Sequence, residues 1–302
     1  MSADFSSVLI DGPWKHELVP ANGARFHVAI AGPVDAPGPL VVLLHSFPQF
    51  WWAWRFQIEA LAAAGHRVAA MDLRGVGASD KPPSGYDVAT RSRDVAGVVR
   101  SLGADSAVIV GHGLGGVVAW AMASLQPSVT DGVVALSAPH PARLHRTARA
   151  ALTPTALKHL AFLQLPVLPE RAFANRSLTT QLLVEGSYER RSSSELATYE
   201  TAMAVPFAAH NSIEAVRWLM RSTPRLDGRR FLSVVRRPIA VPAMQVHGAH
   251  DAFLRPEGVE LDAAALTRDL RFEMLDDAGH FLHEERPEQV DRLLLDFLAR
   301  WR

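Results

Sequence analysis

The sequence predicts an α/β protein: a mostly parallel sheet covered by helices on both faces, with a block of helices inserted into it. Short continuous apolar runs alternate with helix-length segments, which is how strands buried on both faces read. That rhythm stops near Pro141 and resumes near Val241, so the inserted block interrupts one sheet rather than following it.

The elements follow in order. Asn22-Gly23 separates ELVPA from ARFHVAIAG, and both turn residues tolerate positive φ, so the chain should open with a β-hairpin. Residues 39–45 (PLVVLLH), 66–73 (HRVAAMDL), 106–112 (SAVIVGH) and 131–139 (DGVVALSAP) are then short β-rich runs bounded by Gly, Pro or charge. From Pro141 the chain becomes Leu/Ala/Arg-rich without strand patterns, punctuated by Pro154, Pro166, Pro169 and Pro206. Strand patterns return at residues 241–251 (VPAMQVHGAHD) and 270–280 (LRFEMLDDAGH). A last amphipathic helix over 287–301 sets Val290, Leu293, Leu294, Phe297 and Leu298 on one side. The expected organisation is a core of residues 1–140 and 242–302 with a helical cap, or lid, of residues 141–241.

Composition narrows the functional classes. The 302 residues are 48% hydrophobic and 21% charged, enough for a proper core. Lys+Arg and Asp+Glu both number 31, so overall charge gives no reason to expect nucleic acid. With no cysteine there is no disulfide, thiolate metal site or Cys nucleophile. MSADFSSVL lacks the basic and long apolar regions of a secretion signal, and no apolar run approaches the ~18 residues of a membrane span. A cytoplasmic protein without a transmembrane segment, metal or cofactor is the expectation. Residues 141–242 hold fifteen Arg/Lys, beginning with Arg143, Arg146 and Arg149, against seven Asp/Glu. This basic cap either packs on the more acidic remainder, presents solvated helix faces, or faces an anionic membrane or partner.

Chemistry concentrates at VIVGHGLGG (residues 108–116), where a buried strand runs through a glycine-rich turn into a helix. With HSFPQFWWAWRFQI (45–58), DLRGVGASDKPPSGYD (72–87), AAHNSIEAVRW (208–218) and AGHFLHEERPEQV (278–290), in that order, the chain resembles α/β-hydrolases, specifically the epoxide hydrolase and haloalkane dehalogenase group. The resemblance implies a nucleophile on the strand-to-helix elbow at residue 113. It also implies an oxyanion hole from the backbone N–H groups of Phe47 and Leu114, His280 as general base, and Asp251 as the acid orienting it. It further implies a pocket that includes His45, Ser46, Trp51, Trp52, Leu157 and Val216. Leu157 and Val216 stand where the group's two proton-donating tyrosines belong. Phe47 should also face the pocket, whereas Trp54 and Phe56 should be core. The GxGxxG spelled by Gly111, Gly113 and Gly116 lacks an early βαβ setting and is a chance match to a dinucleotide fingerprint.

Gly113 is the departure, since the group's pattern wants Asp or Ser there. Loss of a nucleophile from a working triad has cost about 10⁶ in rate. Several outcomes stay open from sequence. The chain is a pseudo-hydrolase binding a small hydrophobic molecule, or an active hydrolase or lyase using His280–Asp251 with water, or an engineered knock-out. His112 and Ser46 are candidate stand-ins for the nucleophile, and Tyr199 is a candidate donor from the lid.

Overall fold

A computed structural model describes residues 4–142, 151–256 and 267–301. Its centre is an eight-stranded sheet in the order β1-β2-β4-β3-β5-β6-β7-β8. Strands β1 (Lys15–Ala21) and β2 (Ala24–Ala31) form the hairpin, turning at Asn22 (φ 43°) and Gly23 (φ 74°) as the Asn-Gly signal requires. β2 joins the rest antiparallel to β4 (Val68–Met71). β3 (Leu40–Leu44), β4, β5 (Ala107–His112), β6 (Thr130–Leu136), β7 (Ala243–Gly248) and β8 (Leu270–Leu275) are mutually parallel.

Both faces are covered, which explains the unbroken apolar runs. Val41 and Leu43 of β3 face one core cluster, with α1 (Arg55–Ala63) and α11 (Pro287–Leu298) packed against it. Val42 and Leu44, one residue out of phase, face the other with α2 (Val88–Ser101) and α3 (Leu114–Leu125). On α11, Val290, Leu294, Phe297 and Leu298 are buried as the periodicity predicts, and Leu293 is only partly so.

Between β6 and β7 lie α4 (Pro154–Leu163), α5 (Leu168–Ala174), α6 (Ser177–Gly186), α7 (Ser193–Met203), α8 (Ala208–Arg221) and α9 (Leu226–Val235). The prolines sit where helices begin: Pro154 opens α4 and Pro169 lies in the first turn of α5, where a missing N–H is harmless. Leu163, Phe173, Leu182, Tyr199 and Ile213 from this helical layer join the α1/α11-side core cluster. A buried ion network also ties the layer down: Glu284, on the short α10 (Leu282–Glu285), bonds Arg55 at 2.6 Å and Arg191 at 3.0 Å. Among the described residues no helix is long and apolar enough to cross a membrane.

Candidate active site

The turn after β5 is shaped by close approach. A Cβ on Gly111 would lie 2.2 Å from the Gly115 carbonyl oxygen, and one on Gly115 would lie 2.1 Å from that of Leu44. Only glycine lets strand and helix meet this tightly. Gly113 sits at the apex with φ +50° and ψ −113°, donates its N–H to the Leu136 carbonyl at 2.9 Å, and hands the chain to α3. Such a conformation strains any side-chain-bearing residue. The backbone of a nucleophile elbow is therefore present without a side chain on it.

The space a side chain would use is occupied. A Cβ built on Gly113 would meet Ser46 Oγ at 2.2 Å and Ser46 Cβ at 2.9 Å. That same hydroxyl accepts the Leu114 N–H at 3.1 Å, so one of the two expected oxyanion donors is satisfied internally. The other, the Phe47 N–H, has no acceptor among the described residues. Ser46 thus fills the volume that a side chain at position 113 would take and engages the Leu114 N–H.

His280 and Asp251 come together across the ends of β7 and β8. His280 Nδ1 lies 2.8 Å from Asp251 Oδ2, and the other carboxylate oxygen accepts the N–H groups of Phe253 at 2.8 Å and Leu254 at 3.0 Å. Held this way, the carboxylate accepts a hydrogen bond from Nδ1–H, which leaves Nε2 as the acceptor. Nε2 lies 3.7 Å from the Gly113 Cβ point. Phe253 and Phe281 meet the imidazole edge to face, with centroids 5.0 and 5.2 Å away. The histidine backbone is fixed too: its carbonyl accepts Ser137 Oγ and His112 Nε2, each at 2.8 Å. His112 Nδ1 is engaged by Gln49 at 2.9 Å, so His112 lies under the site as a brace and not in it as a nucleophile. Burial, with His283 and His280 nearby, holds His112 well below the usual histidine range.

A cavity of about 210 Å³ opens over these groups. Ser46, Phe47, Gly113, Leu114 and His280 form its floor, and Leu160, Leu163, Leu182, Val216 and Met220 come from the helical layer. Four expected pocket residues lie elsewhere. His45 is buried behind the loop, bonding the Ser46 carbonyl through Nδ1 and accepting the Leu73 N–H at Nε2. Trp51 is fully buried among Trp14, His16 and His27, its indole N–H on the Val8 carbonyl. Trp52 packs on Tyr199 beneath the Arg55 guanidinium, 3.9 Å from the ring centre. Leu157 is 46% exposed on the outer face of α4, because the inward row of that helix is Ala156, His159, Leu160 and Leu163. That i, i+3, i+4, i+7 spacing was present in PTALKHLAFL and would have found His159, the second histidine of the cavity wall, whose Nε2 bonds Glu185. Phe56, expected in the core, is 38% exposed under Arg55, whereas Trp54 is fully buried.

No tyrosine reaches the cavity. Tyr199 is buried and donates to Glu284, Tyr86 donates to the Pro82 carbonyl, and Tyr188 stacks on His250. Of the basic residues in the layer, Arg191 and Arg217 are consumed by internal pairs with Glu284, Glu170 and Glu214. Arg225, Arg229, Arg230, Arg236 and Arg237 on and beside α9 are exposed, and Arg143, Arg146 and Arg149 lie outside the described residues.

A strand-turn-helix elbow at the sheet centre, faced by a histidine that an aspartate beyond the neighbouring strand orients, defines the hydrolase class built on this kind of sheet. The chain belongs to the alpha/beta hydrolase fold family, whose profile matches residues 39–287. Within it the chain groups with epoxide hydrolases. It is 33% identical over 294 residues to the AB hydrolase superfamily protein YfhM of Bacillus subtilis (strain 168), covering 94% of this chain and 98% of that one. It is 30% identical over 287 residues to Epoxide hydrolase 3 of Xenopus tropicalis, covering 92% and 75%. Among solved structures, wild-type Cfl2 from Burkholderia cenocepacia superposes with a TM-score of 0.83 at 25% identity, covering 95% and 96%.

Proposed function

We propose that this chain is an epoxide-hydrolase-like scaffold that binds a small hydrophobic molecule beneath residues 141–241, acting as a cap, and does not hydrolyse epoxides or esters through a covalent intermediate at the elbow. One observation carries the reading: Ser46 Oγ occupies the volume vacated at Gly113 and takes the Leu114 N–H. Removing a nucleophile alone would leave a hole and a free donor. Here Ser46 fills the space and takes the donor, which supports a joint change at positions 46 and 113 over a lone engineered substitution. The absence of any tyrosine on the wall, with Val216 lining it instead, takes away the proton donors epoxide opening needs.

A second reading has one observation in its favour. His280 Nε2 is oriented by Asp251 and has no donor among the described residues, so it could deprotonate a water for direct attack without a covalent step. A sensitive assay over epoxides, esters and haloalkanes separates the two. The binding reading predicts no turnover above a His280→Ala control and a ligand-induced rise in melting temperature. Turnover that His280→Ala abolishes would replace it with the water mechanism.

A further inference from the structure

Three polar groups at the cavity floor have hydrogen-bonding capacity that the protein leaves unused. The Ser46 hydroxyl accepts from Leu114, and its own proton has no acceptor among the described residues. The Phe47 N–H is likewise without one. His280 Nε2 is an acceptor because Asp251 holds the proton on Nδ1. Ser46 Oγ and Nε2 face one small volume, lying 2.2 and 3.7 Å from the same Gly113 Cβ point, and do not hydrogen-bond to each other. The floor therefore offers two donors and one acceptor, whereas Leu160, Leu163, Leu182, Val216, Met220 and Phe253 make an apolar wall.

A hydroxyl is the small neutral group that matches this set: it gives one proton and accepts two. A ketone or ether leaves Nε2 without a donor. A carboxylate brings no proton, and its charge would enter an apolar chamber. A primary amide matches the three but carries a second N–H into the apolar wall, where nothing would satisfy it. Size follows from comparison: an apolar cavity of ~150 Å³ takes benzene, so about 210 Å³ takes roughly eight to nine non-hydrogen atoms.

We propose that the cavity is a binding site for a lipophilic monohydric alcohol of this size, its hydroxyl held by His280 Nε2, Ser46 Oγ and the Phe47 N–H. The proposal rests on the site being a binding pocket, and it names the head group that pocket selects. An alcohol fits the retained His280–Asp251 pair because it uses the histidine as a fixed acceptor, a role that needs orientation but no nucleophile. It also accounts for a serine at position 46, since alanine there would fill space without presenting a donor.

The test is calorimetric titration of the full chain with 1-phenylethanol, acetophenone and ethylbenzene, which share one carbon skeleton. The alcohol should bind about tenfold more tightly than ethylbenzene and several-fold more tightly than the ketone. His280→Phe keeps a ring in place, so ethylbenzene affinity should persist while the preference for alcohol over ketone disappears. Ser46→Ala should weaken alcohol and ketone alike, and its ethylbenzene affinity reports that the pocket is intact. Equal affinities for the three compounds would overturn the head-group assignment and leave the pocket reading standing. No binding of any of them to the folded protein would overturn both. His280-dependent hydrolysis of 1-phenylethyl acetate would replace binding with turnover.

Discussion

Replacing Gly113 with aspartate returns a carboxylate to the turn but drives its Cβ to 2.2 Å from Ser46 Oγ and 2.9 Å from Ser46 Cβ. Two separate penalties follow. A non-glycine residue at φ +50°, ψ −113° carries backbone strain of about 1–3 kcal/mol. Forcing Ser46 aside adds an overpacking cost of about 1–3 kcal/mol and removes the acceptor of the Leu114 N–H. Only the second penalty depends on residue 46. Ser46→Gly alone should cost about 1 kcal/mol, by emptying the volume and freeing the Leu114 donor. The double variant should then recover the overpacking part, giving a coupling of about 1–3 kcal/mol between the two positions. Urea unfolding of the four proteins, read by tryptophan fluorescence with equal slopes, measures it directly. Additivity within about 0.5 kcal/mol would refute the claim that Ser46 sits in the vacated nucleophile space.

Further outcomes concern activity, acid stability and the buried ions. Gly113→Asp should fail to open epoxides even with Ser46→Gly, because no tyrosine lines the cavity; robust epoxide turnover in either variant would show that the missing nucleophile was the sole defect. Burial pushes His45 and His247 down to about 4 and His283 to about 3, so each stays neutral in the folded chain while the unfolded chain protonates near 6.5. The contribution of these three histidines is complete above about pH 6.5 and is lost on acidification toward pH 4, each approaching about 1.4 kcal/mol per pH unit below its unfolded value; a urea midpoint unchanged between pH 7 and 5 would contradict it. Burial raises the Glu284 carboxyl but Arg191 and Arg55 outweigh it, leaving it at about 2. Glu284→Gln takes the carboxylate from buried Arg191 and one of two from Arg55, which keeps Glu195 at 2.7 Å, and should cost about 3 kcal/mol by chemical denaturation, whereas a loss below about 1 kcal/mol would mean that water already screens the network.

Much of this arrangement was readable from local pattern. Strands β3 to β7 announce themselves because burial on both faces demands unbroken apolar runs, and Asn22-Gly23 fixes the hairpin through its backbone alone. His280 and Asp251 meet as the resemblance implied, since the ends of β7 and β8 are neighbours in a parallel sheet. The aromatic loop misled because hydrophobicity does not say which way a ring points. Trp51 and Trp52 went to the hairpin and to Tyr199, both distant in sequence, and Phe56 lies beneath Arg55 at the surface. Leu157 faces outward because one residue along a helix is a rotation of about 100°, so Ala156 and Leu160 face the cavity in its place. The relation of Ser46 to Gly113 spans 67 positions between two strand ends, and no local pattern encodes it.

The carboxylate of Glu285 accepts the N–H groups of Gly279 and Phe281 on either side of the histidine, and also that of Tyr188 in the connection between α6 and α7. One side chain thereby ties the α6–α7 connection of the helical layer to the loop that carries His280. A shift of the α6–α7 connection along that edge would pull on the backbone that carries His280, so the aim of the imidazole and the position of this connection are set together.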